Sequence, residues 1–219
     1  MGFFNSNFTR EYSMKFIKLT FSILLLLPLI SLAQLDGVSY DWKEIKNSKG
    51  IIISTSKVDG SPFKAVRGEM IVKASVASLF GLVEDMSACS DWAAMCKEAK
   101  LEKRLSASES YVYIYNDIPF PVKDRDVYTH VVWAFNAITN RVSMTSTASD
   151  GGTPKTKAVR IEDAVSQWHF TPNGDGTTTV ENFAHIDPNG PTPAWLTNMM
   201  LVNAPFNTCL LYTSPSPRD

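Results

Sequence analysis

PFPVKDRDVYTHVVW, running from Pro119 to Trp133, joins a proline-bracketed loop to a strict two-residue alternation. Proline fixes φ and keeps the residue before it out of the helical region, so Pro119 and Pro121 hold the approach extended. The chain then delivers Asp124, Arg125 and Asp126 to the mouth of a strand predicted over Asp126 to Ala137. Side chains along a strand point to opposite faces in turn, which separates Val127, Thr129, Val131, Trp133 and Phe135 from Asp126, Tyr128, His130, Val132 and Ala134. The first set is the more apolar. It is expected on the inward side.

Further along lies DPNGPTPAWLTNMM, Asp187 to Met200. Pro188 fixes φ and Gly190 admits a conformation closed to other residues, so Asp187 to Gly190 reads as a turn. Pro193 suits the first position of a helix, where its missing N–H costs nothing. Outward from these two stretches, Gly50 to Ser56 and Phe63 to Lys73 are β-rich runs separated by the turn composition Asp59-Gly60-Ser61-Pro62. Tyr40 to Asn47 reads as helical or irregular. Ser75 to Met86 sets Val76, Leu79, Phe80 and Val83 at helical spacing behind a Ser75 cap. Cys89 to Met95 gives a second short helical turn. Strands follow at Ala99 to Ser106, Ser110 to Asn116, Asp126 to Ala137, Arg141 to Thr147 and Ala158 to Thr171. Asn173 to Gly176 turns into a last strand at Thr177 to Ile186. Strands, two helical pieces, more strands and a terminal helix make an α+β layout.

The Arg-Asp pair entering a strand, followed by Asp-Pro-x-Gly-x-x-Pro-x-Trp opening a helix, resembles the START (StAR-related lipid transfer) family from about Asp41 to Asn207. The resemblance implies a helix-grip fold, a curved antiparallel sheet wrapped around a C-terminal helix. The same resemblance implies an internal cavity for one lipid, sterol or other hydrophobic molecule, and no cofactor. The residues expected to line it are Trp92, Met95, Val127, Thr129, Val131, Trp133, Trp168, Trp195, Met199 and Met200. Core packing is an equally open role for each of them. Arg125 is either a fork that holds its loop by charge-assisted hydrogen bonds or a contact for a polar head group. Some sterol-binding relatives carry a charged residue further along this strand, and the counterpart here is Val131, which favours a more apolar ligand.

Catalysis finds no motif in the chain. His130, His169 and His185 have no sequence-local triad partner, and no G-x-S-x-G, H-E-x-x-H, G-x-G-x-x-G or P-loop occurs. No catalytic residue and no metal ligand set is assigned. Two alternatives to a carrier stand beside it: a cyclase or aromatase type of enzyme on the same fold, and a protein-interaction module.

At the N-terminus, Lys15 and Lys18 precede the apolar run Leu19 to Leu32, and Ser31-Leu32-Ala33 supplies small residues for cleavage before Gln34. Residues 1–33 are expected to be an export signal whose true start is Met14, placing the protein in the periplasm or outside the cell. Cys209 to Asp219 has no clear periodicity, so residues 208–219 read as a non-native tail and 34–207 as the domain. Without Arg10, Lys15, Lys18, Arg218, Glu11 and Asp219, 17 basic and 20 acidic residues remain of the 21 and 22. That balance offers no electrostatic footprint for nucleic acid. The expected partners are a lipid or hydrophobic small molecule and, transiently, a membrane, with the protein itself a monomer.

Cys89 and Cys96 are the two cysteines of the domain. On one continuous helix they would stand about 10 Å apart along the axis, beyond the roughly 7 Å a disulfide tolerates. A bridge demands a break between them. Without one they are two unpaired, partly buried thiols, which is the expectation taken here.

Overall fold

The computed structural model describes residues 40–150, 156–193, 196–197 and 202–213. They belong to the unit Val38–Asp219. Expectations placed on residues 1–33, on Trp195 and on Met199 and Met200 lie outside the described residues.

Among the described residues ten strands make one sheet: β1 (Lys43–Ser48), β2 (Ile51–Ser56), β3 (Ala65–Val72), β4 (Cys96–Ser106), β5 (Glu109–Asn116), β6 (Arg125–Asn136), β7 (Arg141–Ala148), β8 (Val159–Arg160), β9 (Asp163–Pro172) and β10 (Thr178–Asp187). Nine run in the order β1-β2-β3-β10-β9-β7-β6-β5-β4, each pairing antiparallel, while β8 pairs parallel with the start of β6. Helix α1 (Val76–Glu84) follows β3, and a 3-10 turn leads into α2 (Cys89–Trp92). Helix α3 (Ala204–Thr213) lies against β2, β3 and α2. This curved antiparallel sheet with a C-terminal helix is the α+β helix-grip architecture expected from the sequence.

Local chemistry explains most boundaries. Ser75 Oγ accepts from Ser78 N at 3.1 Å, which caps α1 and turns Leu79 and Val83 inward. The hairpin from β1 to β2 turns through Lys49 and Gly50, both with positive φ, at 55° and 74°. Two such residues in a two-residue loop match the twist of the flanking strands. Tyr40 to Asn47, expected to be helical or irregular, therefore ends in a strand: Lys43 onward is held by the β2 ladder that the turn starts. Its largely exposed, charged face suits a sheet edge.

Ala158 to Thr171 was expected as one strand and is two. Val159 and Arg160 pair parallel with Arg125 and Asp126, and Ile161 N donates to Asp126 O at 2.8 Å. The chain then steps across to form β9 between β7 and β10. Hydrogen bonding to a strand distant in sequence overrides the continuous β-propensity of the segment.

Cys89 and Cys96 are bonded to each other, contrary to the expectation of free thiols, with Cα atoms 5.9 Å apart. The required break is present. Helix α2 ends at Trp92, Ala93 turns extended, and Met95 takes φ 70°, which folds Cys96 back toward Cys89.

Near the C-terminus, Leu196 and Thr197 donate to Pro193 O, starting a helical turn as expected, and Leu196 is fully buried. Helix α3 continues across Asn207, where the domain was expected to end. Cys209 is buried in the core with Phe206, Ile53, Met70 and Phe170. It sits where Gly68 lacks a side chain: a Cβ there would lie 3.4 Å from both Cys209 Sγ and Ile53 Cδ1.

Candidate functional site

Between the concave face of β5, β6, β7, β9 and β10 and the covering segments α2 and α3 lies a cavity of about 350 Å³. Its volume falls in the range of sites that bury one small molecule. The strand alternation read from the sequence holds for four residues: Val127, Thr129, Val131 and Trp133 line it. Phe135, the next on that face, is 64 % exposed and lines an outer groove under α1 instead, because α1 ends the cover there. Trp133 forms part of both walls, with the Phe80 ring edge-on at 4.7 Å. Its indole N–H is buried and has no acceptor among the described residues. Such a group costs about 1 to 3 kcal/mol.

Trp92, Met95 and Trp168 are also in the lining, and the rings of Trp92 and Trp168 meet edge to face at 6.0 Å. The left-handed turn at Met95 and the disulfide beside it place the segment Cys89 to Cys96 as a wall over the sheet. Ala94 N donates to Thr208 Oγ1 at 3.1 Å, tying that wall to α3. Seven of the ten expected lining residues are thus gathered round one space. The other three, Trp195, Met199 and Met200, fall outside the described residues.

The lining also contains polar residues that the sequence reading did not single out. Ser110, Ser146, Ser166 and Asn182 face the cavity from β5, β7, β9 and β10. Formal charge is confined to Lys64, which is exposed, and to Glu84 and Arg104, which pair at 3.0 Å. The main cavity has no histidine, aspartate or tyrosine in its lining among the described residues. His130 pairs with Glu109 at 2.7 Å, His169 Nδ1 meets Ser143 Oγ at 2.9 Å, and His185 Nε2 meets Ser61 Oγ at 3.0 Å, all away from it. Burial, with Arg141 nearby, holds His169 below the ordinary histidine value. Burial pushes the Cys209 thiol up to about 12, so it stays protonated and unreactive at neutral pH.

Arg125 behaves as the structural fork. Its Nε donates to Pro188 O at 3.0 Å, Nη1 to Lys123 O at 2.6 Å and Nη2 to Asn189 O at 3.1 Å. All three nitrogens are committed to backbone carbonyls, and Arg125 is not in the lining. The head-group role therefore has no geometric support. Asn189 and Gly190 both take positive φ, at 55° and 67°, and Asn189 N donates to Asp187 Oδ1 at 2.8 Å, so the turn presents its carbonyls to the fork.

Asp126 does not pair with Arg125. Its carboxylate is fully buried and accepts from Arg160 Nε at 2.6 Å, Arg160 Nη2 at 3.2 Å, Thr156 Oγ1 at 2.7 Å and Tyr113 Oη at 3.1 Å. Burial pushes its pKa up, but these donors and the Arg160 charge outweigh it and hold Asp126 below the ordinary aspartate value. Asp124 is also held low, by Tyr115 first and the Ile118 backbone second, while Tyr115 is raised to about 12 by that same hydrogen bond. These groups lock the loop entering β6.

A family model described as the START domain matches residues 29–207. The chain belongs to the START family. An uncharacterized protein of Pseudomonas aeruginosa is 35 % identical over 174 residues, covering 79 % of this chain and 85 % of that protein. The solved STAR-related lipid transfer protein from Xanthomonas axonopodis superposes with TM-score 0.72 at 29 % identity, covering 78 % of this chain and 96 % of that one. Human StAR-related lipid transfer protein 5 superposes with TM-score 0.71 at 16 % identity, covering 78 % and 84 %, which is a likeness of fold. START domains bind lipids or hydrophobic ligands, and this START protein has a mainly apolar space beneath α3.

Proposed function

We propose that this START protein is a monomeric carrier that holds one lipid or other hydrophobic small molecule in the cavity and passes it between membranes. The observation that carries the reading is a cavity walled by Trp92, Val127, Val131, Trp133 and Trp168, whose charged lining groups are exposed or paired. Burying an apolar ligand there gains about 25 cal/mol for each Å² removed from water. Among the described residues the lining supplies no acid-base pair apart from the Glu84–Arg104 ion pair, which favours a carrier over a cyclase. Organic extraction of the purified native protein followed by mass spectrometry is expected to release close to one lipid per chain. Protein that carries no lipid and takes none up from vesicles would overturn the reading.

Export fits the same picture. The basic, apolar and small-residue order at Lys15 to Ala33 supports removal of the leader before Gln34, and a bonded Cys89–Cys96 pair suits an oxidising compartment. N-terminal sequencing of the mature protein is expected to begin at Gln34. A mature chain that retains residues 16–32 would contradict export with cleavage.

A further inference from the structure

The sheet register places three serines of the cavity wall in one row. Ser110 of β5 lies opposite Val131 of β6, Val131 opposite Ser146 of β7, and Ser146 opposite Ser166 of β9. All four line the cavity. Adjacent strands stand about 4.8 Å apart, so the β-carbons of Ser146 and Ser166 are about 5 Å from each other, and Ser110 is two strands further on. Asn182 of β10 sits diagonally across from Ser166, since Ser166 faces Ala184 and Trp168 faces Asn182. Its Nδ2 donates to Gln167 O at 3.2 Å, and the amide oxygen can still accept.

The row is bounded by larger groups. On one side lie Val112 and Thr129, on the other Trp133, Met144 and Trp168. Thr129 Oγ1 is already donated to Val112 O at 3.3 Å. Ser110 is almost fully buried, and Ser146 and Ser166 are half-buried. Each of these hydroxyls can donate one hydrogen bond and accept others. A wall meant only for hydrocarbon would place alanine or valine here.

Resting on the carrier reading above, we propose that Ser146, Ser166 and Asn182, with Ser110 at the far end of the row, form a polar subsite midway along the cavity. It takes the uncharged oxygen of a neutral lipid, a hydroxyl or carbonyl group. An anionic or cationic head group at this level would meet no compensating charge, because Glu84 and Arg104 neutralise each other and Lys64 is exposed. Val131 in the middle of the row leaves room for the ligand to lie across the strands, with apolar parts on either side.

Displacement of the neutral fluorophore N-phenyl-1-naphthylamine by tetradecanol, tetradecane and tetradecanoate tests the subsite in the full chain. Tetradecanol is expected to displace the fluorophore at about tenfold lower concentration than tetradecane, the worth of one or two neutral hydrogen bonds, and tetradecanoate at pH 8 less well than the alcohol. In Ser146→Ala/Ser166→Ala the alcohol is expected to fall to within about twofold of the alkane. Ser146→Thr/Ser166→Thr, which keeps both hydroxyls, is expected to keep the preference. An alanine variant with an undiminished alcohol preference, or a wild type that prefers the carboxylate, would overturn the subsite while leaving the carrier intact. Failure of fluorophore and alkane alike to bind the wild type would overturn the carrier reading and the subsite with it.

Discussion

At Val131 a single side chain separates an apolar cavity from a charged one. It is buried, lines the space and stands between Ser110 and Ser146 in the sheet register. Val131→Arg would put an unpaired cation there at a cost of several kcal/mol, so binding of a neutral fluorescent probe is expected to be abolished, while Val131→Ile leaves it within a few-fold. Probe titration of the two variants, each checked for folding by thermal unfolding, measures this; retained binding in the arginine variant would put the residue outside the ligand's reach. Asp126 sets a pH limit rather than a ligand preference. Its native pKa lies below the ordinary value of 3.8, so its contribution to stability is fully present above that value and is lost as pH falls through the native pKa. Asp124 adds in the same direction. Asp126→Asn, which leaves Arg160 without its buried counter-charge, is expected to cost about 3 kcal/mol at neutral pH and to flatten the acid limb. Urea unfolding at pH 7 and at pH 3 checks both the size and the sign.

Helix α2 and the turn after it are too short to stand without support, since a four-residue helix gains little from its own hydrogen bonds. The Cys89–Cys96 bond and the contact of Ala94 N with Thr208 hold this wall against β4 and α3. Closing so short a loop constrains the unfolded chain by about 2.5 kcal/mol. Cys89→Ser/Cys96→Ser is therefore expected to lower the midpoint of thermal unfolding by about 5 to 10 °C and to speed ligand loss, because Trp92 and Met95 ride on the freed segment. The same change is expected in the wild type on adding dithiothreitol. Unaltered unfolding and release in both would mean that packing alone holds the wall.

For the whole molecule, the proposed carrier role asks for more than a cavity; the ligand must also leave it. Phe120, between two prolines on the loop that precedes β6, is 95 % exposed, an unusual position for a phenylalanine, with Lys123 three residues on. An aromatic ring at a loop tip is suited to the interfacial layer of a bilayer, which supports the transient membrane contact expected of a carrier. Among the described residues no helix is long and apolar enough to cross one. Phe120→Asp is expected to slow lipid transfer between vesicles by about tenfold, with equilibrium binding in solution unchanged, since Phe120 does not line the cavity. Vesicle-to-vesicle transfer of a fluorescent lipid measures it, and an unchanged transfer rate would remove the loop from the exchange step.

What could be read along the chain was whatever is local. Alternation from Val127 to Trp133 revealed the inner face of β6, because the pleat repeats every two residues whatever surrounds it. Ser75 announced a helix, and Asp187 to Gly190 announced a turn, through φ preferences and capping that need no partner. Even there the reading faltered where a neighbour decides: Lys43 to Ser48 became a strand because β2 pairs with it, and Ala158 to Thr171 broke because Ile161 bonds to Asp126. The candidate site was legible as a face but not as a room. Trp92, Met95 and Trp168 could be named through the resemblance to START domains, whereas Ser110, Ser146 and Ser166 look like ordinary strand serines until the register lines them up. Which residue answers Asp126, whether Cys89 meets Cys96, and where Arg125 sends its three donors are settled by distances between segments far apart in sequence or by a break in a helix. Pattern along a chain carries the direction of a side chain; only the packing of one strand against the next carries what it meets.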